Sequence, residues 1–481
     1  MKLINPPVIF RIFAIIGIIV TVSFLVCILV ACIYNESVMA FVWSAMITFL
    51  SSLIFYLISR KEKLISINIR ESFLSVTLSW IVISLAGCLP YIISGTIPSF
   101  INAFFESTSG FTTTGSSILI DVESLPKSIL FFRSLTHWIG GMGIILLVIL
   151  ILPSINVGGF RIFILESSLK EKFHPRIKYM GIRLLGIYLL LSITETILLY
   201  AGGMNLFESV CHTFGTVATG GFSPRNSSLA SYSPYIQYIV MIFMFLSGMN
   251  FLLHYSILKL NFKKVLENDE FWFYLTFILI SGSVVTGILF FKTDRPFEIS
   301  FRESFFQVLS ILTSTGFASS DYLLWPRFAY ILIFLFMFMG ACTGSTSGGI
   351  KMARHLLMLK NIRNFFIRLV SHNTILPVRI NGQEISPMNT STTLTFIFLY
   401  LSIFILGTVV IIVTGVDAET ASSSVITCMG NIGPGIGTVG PTGNYSHIPE
   451  TGKLLLSFFM ITGRLEIYTV LIIFAPIFWK K

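Results

Sequence analysis

Ten predominantly apolar runs, each long enough to cross a bilayer as a helix, constrain this chain more than any other feature. They lie at about 8–33, 38–59, 71–95, 126–151, 180–202, 234–258, 270–291, 327–357, 391–416 and 452–478. A helix needs roughly 20 apolar residues to span a hydrocarbon layer of about 30 Å. Of the 481 residues, 54% are hydrophobic and only 11% are charged, against about 25% charged in soluble domains. A water-soluble enzyme is excluded. The first run is too long for a signal-peptide core and has no small-residue cleavage pattern after it, so it is expected to stay in the protein.

The net charge of +10 reads as a topology signal, because short basic loops stay on the cytoplasmic side. With both termini inside, the loops around 60–70, 161–183, 259–264 and 351–379, together with the two ends, hold 23 of the 32 basic residues. A nucleic-acid partner is therefore not implied. Cys27, Cys32, Cys88, Cys211, Cys342 and Cys428 are scattered through apolar segments with no metal-ligand spacing and no disulfide framework.

A fourfold repeat organises the chain beyond the first two spans. Four outer segments each run through about 12 weakly apolar residues into a Gly/Thr/Ser cluster: Asn102 to Gly115, Glu208 to Gly221, Glu303 to Gly316 and Thr420 to Gly433, always over 13 positions. Gly220 competes with Gly221 in the second. The four glycines are 106, 95 and 117 residues apart. Twelve helical residues reach only about 18 Å, half the membrane. Asn and Glu at three of the four starts suit a helix N-terminus. The expected architecture is an all-α polytopic membrane protein of about ten transmembrane helices. It has four span, half-helix, span repeats in pseudo-fourfold arrangement plus two N-terminal helices, divided at 1–66, 67–165, 166–262, 263–375 and 376–481.

Irregular backbone at membrane depth must be buried in protein or line a water-filled cavity. Four inward-pointing half-helices would turn their negative C-terminal ends toward one point and favour a cation there. Segments 112–115, 218–221, 313–316 and 430–433 contain neither Asp nor Glu, which suits a monovalent cation held by carbonyl oxygens and not a divalent one.

The motifs TTTGSS at 112–117, TVATGGFS at 216–223, TSTGF at 313–317, NIGPGIG at 431–437 and MGACTGSTSGGIK at 339–351 resemble the Trk/Ktr/HKT superfamily of potassium transporters, and within it the TrkH-type membrane subunit. The two extra N-terminal spans fit that type. The resemblance implies a selectivity filter at Thr112, Thr113, Thr114 and Gly115; Ala218, Thr219, Gly220 and Gly221; Thr313, Ser314, Thr315 and Gly316; and Asn431, Ile432 and Gly433. Potassium would be held at Thr113, Thr114, Thr219, Gly220, Ser314, Thr315, Asn431 and Ile432. Glycine at the first filter position suggests potassium over sodium. Pro434–Gly435 in the fourth repeat suggests that its backbone cannot mirror the other three.

Glycines at 340, 344, 348 and 349 make an unbroken helix through 340–349 improbable, since each costs about 1 kcal/mol in a helix interior. A kinked, closely packed helix is the alternative. The resemblance assigns Gly344, Ser345, Thr346, Ser347, Gly348 and Gly349 to an intramembrane gate below the filter. Arg464 lies about 24 Å along a helix from the terminal lysines, too far to snorkel. The resemblance implies that it lines the pore beside that gate; the alternative is that it only binds carbonyls of the broken segment. His137 and His212 read as hydrogen-bonded packing residues, and Glu195 as a structural partner for a base such as Arg133.

The resemblance implies potassium uptake through a central pore of a bacterial cytoplasmic (inner) membrane protein. It implies a homodimer in the lipid bilayer on a cytosolic, nucleotide-binding, RCK-type regulatory subunit (TrkA-like), for which loop 351–380 offers a basic surface. No cofactor is expected beyond K+ as transported ion. A symporter driven by H+ or Na+ is the alternative. A transporter for organic solutes would show inverted halves, and an intramembrane enzyme would need a Ser/His or Asp/Asp pair at depth; neither is apparent.

Overall fold

The computed structural model describes residues 4–60, 68–151, 174–371 and 376–480, with side chains placed for all of these except 144–151 and 174–178. The expected divisions at 66–67 and 165–166, position 375, and Lys2, Lys61, Lys63, Arg161, Lys170, Lys172 and Lys481 of the charge pattern lie outside the described residues.

Two leading helices, Pro6–Ile33 and Met39–Ser59, precede four units. The first is Ile69–Ile93, half-helix Phe100–Phe111, Lys127–Ile151. The second is His174–Ala201, half-helix Leu206–Val217, then Pro234–Gly248 with Phe251–Leu258. The third is Asp269–Lys292, half-helix Phe297–Leu312, then Arg327–Phe336 with Met352–Val370. The fourth is Pro387–Val413, half-helix Ala418–Gly430, then Glu450–Arg464 with Tyr468–Phe474. The protein is therefore an all-α polytopic membrane protein, and each of the ten apolar runs carries helix.

Three runs are broken, where the sequence pointed to one. The sixth bends by 103° between Gly248 and Phe251, and the last by 116° between Arg464 and Tyr468. The eighth stops at Phe336 and resumes at Met352, as its glycines required. At the sixth break Met249 is extended and the Asn250 side chain caps the next helix, accepting from Leu252 N at 2.9 Å. At the last break Glu466 and Ile467 have positive φ, 54° and 20°. Released backbone groups at such depth need protein partners, and those at the sixth break find them in the segment that interrupts the eighth.

The half-helices begin earlier than Asn102, Glu208, Glu303 and Thr420. In three of them the marked residue is the third helical position, and the cap lies three residues before it. Asn205 accepts from Glu208 N at 2.8 Å and Asp417 from Thr420 N at 2.9 Å, while Ser99 makes no such bond. The third half-helix starts at Phe297 behind Pro296, so Glu303 sits in its second turn and pairs with Arg295.

The outer faces of the leading helices and of Pro387–Val413 expose Ile, Val, Leu and Phe side chains such as Val22, Leu29, Ile54, Phe398 and Ile405, as a lipid-facing surface requires. The interior is the more polar part. The leading pair is tied in by an aromatic cluster of Phe24, Phe41, Tyr91 and Phe132 with centroids 5.5–6.4 Å apart. Glu36 adds a second tie by accepting from Lys127 N at 2.7 Å and Ser128 N at 2.9 Å, which caps Lys127–Ile151.

Arg133 does not pair with Glu195. Its guanidinium meets Glu106 of the first half-helix at 2.9 Å, both side chains buried. Glu106 also accepts from Ile118 N at 2.9 Å and Ser117 Oγ at 3.0 Å, so one carboxylate fixes the half-helix, the strand leaving it and the following span. Glu195 is instead fully buried beside Thr216 of the second half-helix. Arg133→Leu would leave Glu106 buried and unpaired, and the expected loss is about 3–5 kcal/mol. A thermal unfolding midpoint unchanged in detergent would contradict that role for the pair.

Candidate functional site

The four half-helices end alike. After Phe111, Val217, Leu312 and Met429 come Thr112, Ala218, Thr313 and Gly430, and then Thr113, Thr219, Ser314 and Asn431, all left-handed with φ of 52–54°. Each end is tied back twice, as in Thr113 N to Gly110 O at 3.1 Å and Thr114 N to Ser109 O at 2.9 Å. The same pair recurs as Thr219 to Thr216 and Gly220 to Gly215, Ser314 to Ile311 and Thr315 to Ser310, and Asn431 to Cys428 and Ile432 to Thr427. This double closure is the Schellman arrangement, here built on Thr, Ser or Asn at the left-handed position.

Thr114, Gly220, Thr315 and Ile432 follow with negative φ. Then Gly115, Gly221, Gly316 and Gly433 return to positive values of 82°, 81°, 79° and 96°. Positive φ recurs at every second residue of each strand, and L-residues with side chains pay about 1–2 kcal/mol for the left-handed state. The pattern settles the register of the second segment: Gly221, not Gly220, corresponds to Gly115.

The glycines also interlock in a ring. A Cβ on Gly115 would overlap the Gly220 carbonyl oxygen; one on Gly221, that of Thr315; one on Gly316, that of Ile432. A Cβ on Gly433 would come to 2.7 Å from the Thr114 carbonyl oxygen, still inside the 3.0 Å that real Cβ atoms keep. Segment one thus abuts two, two abuts three, three abuts four, and four closes on one. The fourth segment mirrors the others at both left-handed positions despite Pro434. It differs only in the larger φ of Gly433 and its looser gap. Asn431 adds a side-chain bridge, donating to Thr114 Oγ1 at 2.9 Å and Met460 O at 3.0 Å.

Above the ring lies a cavity of ≈ 160 Å³ that all four glycines line, with Arg133, Arg225, Asn226 and Tyr445 around it. Tyr445 donates to Gly433 O at 2.7 Å. Both arginines are paired, Arg133 with Glu106 and Arg225 with Glu208 at 2.6 Å. At the rim the Asn226 amide, 2.7 Å away, holds the Asp121 carboxyl below the ordinary carboxylate range.

Beneath the ring runs segment 340–349. Its limbs are zipped by Gly340 N to Ile350 O at 2.8 Å and Met352 N to Ala341 O at 3.1 Å. It fills the break in the sixth span through Cys342 N to Gly248 O at 3.0 Å and Phe251 N to Gly344 O at 3.2 Å. Its tip reaches two of the four ring segments and the end of the second half-helix: Gly348 N donates to Ser314 Oγ at 2.6 Å, Gly348 packs on the Gly430 carbonyl, and Thr346 Oγ1 donates to Val217 O at 3.1 Å. Ser345 Oγ and Ser347 Oγ lie 2.9 Å apart, and Gly344 and Gly349 take positive φ.

Arg464, at the end of the helix before the last break and 3% exposed, donates to Thr346 O at 2.6 Å and to Gly140 O at 3.1 Å. It therefore holds the segment to the first unit. Glu466 turns away to Arg354. His137 bonds Gly110 O at 2.8 Å, and His212 bonds Glu208 O at 2.9 Å and Ser223 Oγ at 3.0 Å, both as packing residues.

Several participants left no sequence signal. Lys351 and Arg354, expected on a basic surface, are buried: Lys351 Nζ donates to the Ser347 carbonyl and hydroxyl, and Arg354 pairs with Glu466 over the Phe396 ring. Arg363, Arg368 and Arg379 remain exposed. Glu270 and Glu106 are assigned no role by the sequence, which sets Arg133 against Glu195. Among the described residues no group of three His, Cys, Asp or Glu side chains converges as a metal site would need.

Ring, interrupted span and ten helical runs define a polytopic membrane transport protein, and comparison with known proteins agrees. A family model described as a cation transport protein, TrkH, matches residues 37–481. The chain belongs to the TrkH family, which is a transporter family and not an enzyme family. It is 37% identical over 430 residues to the Trk system potassium uptake protein TrkH of Escherichia coli K12, covering 88% of each chain. It is 33% identical over 423 residues to TrkI of Halomonas elongata, covering 87% of this chain and 85% of that one. The crystal structure of the potassium transporter TrkH from Vibrio parahaemolyticus superposes with a TM-score of 0.91 at 30% identity, covering 99% and 100% of the two chains.

Gly316→Ser tests the ring. The added atoms overlap the Ile432 carbonyl and force a residue with a side chain into φ 79°. Cation flux in proteoliposomes is expected to fall roughly tenfold or more, the scale of 1.4 kcal/mol or above at one binding position, with helix content retained. Wild-type flux would mean that these carbonyls do not face the permeating ion.

Proposed function

We propose that this protein takes up potassium across a bacterial cytoplasmic membrane, through one pore on the pseudo-fourfold axis. The carbonyls of Thr113, Thr114, Thr219, Gly220, Ser314, Thr315, Asn431 and Ile432 replace the hydration shell of the ion. Gly115, Gly221, Gly316 and Gly433 let the four strands approach closely enough for this, and the four half-helix C-termini add their negative dipole ends. The observation that carries the reading is the closed cycle of glycine-to-carbonyl contacts, one per unit. The family relatives named above for potassium uptake support the choice of ion.

Segment 340–349 is the gate in this reading. It crosses below the ring, bound to it at Ser314 and to the second half-helix at Val217. Arg464 acts by holding the Thr346 carbonyl in the closed position and by placing a positive charge where a cation must pass. Both termini and the basic loops face the cytosol, two chains form the working dimer, and a nucleotide-binding cytosolic ring of the RCK class acts on the inner face. Arg363, Arg368 and Arg379 offer that ring its charge. The units run from 67, 166, 263 and 376, with 1–66 as a leader.

Rubidium uptake into proteoliposomes holding the purified protein tests the ion and the path. Potassium is expected to compete at much lower concentration than sodium; equal competition would refute a potassium filter. An imposed proton or sodium gradient should leave the initial rate unchanged at fixed voltage, whereas a driven rate would favour symport. Deleting Gly344–Gly349 should raise flux several-fold, and an unchanged flux would remove the gate. Arg464→Ala should raise it as well, by freeing the Thr346 carbonyl.

A further inference from the structure

One carboxylate on an unbroken span touches both the gate segment and the helix that follows it. Glu270, second residue of Asp269–Lys292 and 1% exposed, places a single oxygen against two segments. Its Oε1 accepts from Thr343 N at 2.6 Å and Thr343 Oγ1 at 3.0 Å, within the interrupting segment. The same atom accepts from Ala353 N at 3.0 Å, in the first turn of Met352–Val370. A carboxylate suits both places: helix N-terminal amides are electropositive and otherwise lack partners, and hydrogen bonds to an ionised acceptor are the strong ones.

Its neighbour adds a second tie to the same helix, since Lys360 Nζ reaches Asp269 at 2.6 Å. Beyond Met358 that helix exposes Leu359, Ile362, Arg363, Phe365 and Phe366, so it projects out of the bundle where a force can be applied to it. Its base is held at Asp269 and Glu270 while segment 340–349 hangs from the other side of the same oxygen.

We propose that Glu270 is the positioning residue that couples the helix Met352–Val370 to the intramembrane segment. This rests on the reading of 340–349 as a gate. One oxygen serves both segments only while they stay adjacent. When the helix swings or slides, Ala353 N withdraws, the Glu270 side chain loses its seat, and Thr343 is released from the base of the loop.

The experiment compares rubidium flux through the full-length protein in proteoliposomes for wild type, Glu270→Ala, Glu270→Gln and Thr343→Val, each with and without deletion of Gly344–Gly349. Glu270→Ala should raise flux roughly five- to tenfold, the scale expected when charge-assisted bonds at one oxygen are lost. Glu270→Gln keeps an acceptor and should lie between it and wild type. In the deletion background neither should add anything. A residue that merely supported the fold would lower flux in both backgrounds. If Glu270→Ala does not fold, Glu270→Gln and Thr343→Val carry the test, each expected to raise flux about two- to threefold and together less than the product. Unchanged or reduced flux in the loop-intact variants, while the deletion itself raises flux, overturns the role of Glu270 and leaves the gate standing. A deletion without effect removes the gate, and the proposal falls with it.

Discussion

Four helices end inside this protein, at a depth where no bulk water is at hand to take their last carbonyls. A helix terminus leaves about four such groups unmatched, and in hydrocarbon each costs several kcal/mol. Two are turned back by the left-handed closures at Thr113, Thr219, Ser314 and Asn431. The oxygens that follow are aimed at one another's neighbours around a ring. Nearly everything else at the centre follows from that requirement: the glycines that let strands touch, the small polar side chains packed behind them, and the caps Asn205 and Asp417 that anchor two of the half-helices at their far ends.

The same demand explains the broken spans. An interruption at 340–349 frees donors and acceptors, and these are matched by a second interruption at Gly248–Phe251 and by the guanidinium of Arg464, itself at the edge of a third. The first two breaks satisfy one another, and a side chain from the edge of the third ties to them. Closing the break at Gly248–Phe251 would strand polar groups of segment 340–349, so these two belong to one structural decision.

Much of this could be read from residues alone. The 13-residue offset from a polar start to a glycine marked all four half-helices, and the glycine run at 340–349 marked the interruption, because glycine and apolar length are both physical requirements that leave traces at fixed positions. The breaks at 249–250 and 465–467 could not be read, since Met-Asn and Leu-Glu-Ile carry no helix-breaking signal and the kinks are imposed by what packs there. Charges were the least legible. Arg133 was set against Glu195, but a carboxylate three-dimensionally nearer, Glu106, takes it. Lys351 and Arg354 look like surface residues in a basic stretch and are buried against Ser347 and Glu466. Pairing depends on tertiary distance, and nothing local encodes it.

The ring is also written four times in one chain, with different letters each time: Thr-Thr-Gly, Thr-Gly-Gly, Ser-Thr-Gly and Asn-Ile-Gly at 113–115, 219–221, 314–316 and 431–433. In a ring of identical subunits any change is made at every corner at once. Here a substitution alters a single quadrant, so the chemistry of the ring can be graded in quarter steps. The Asn431 side chain, whose bridge to Thr114 no other quadrant has at that position, is one place where such a step has already been taken.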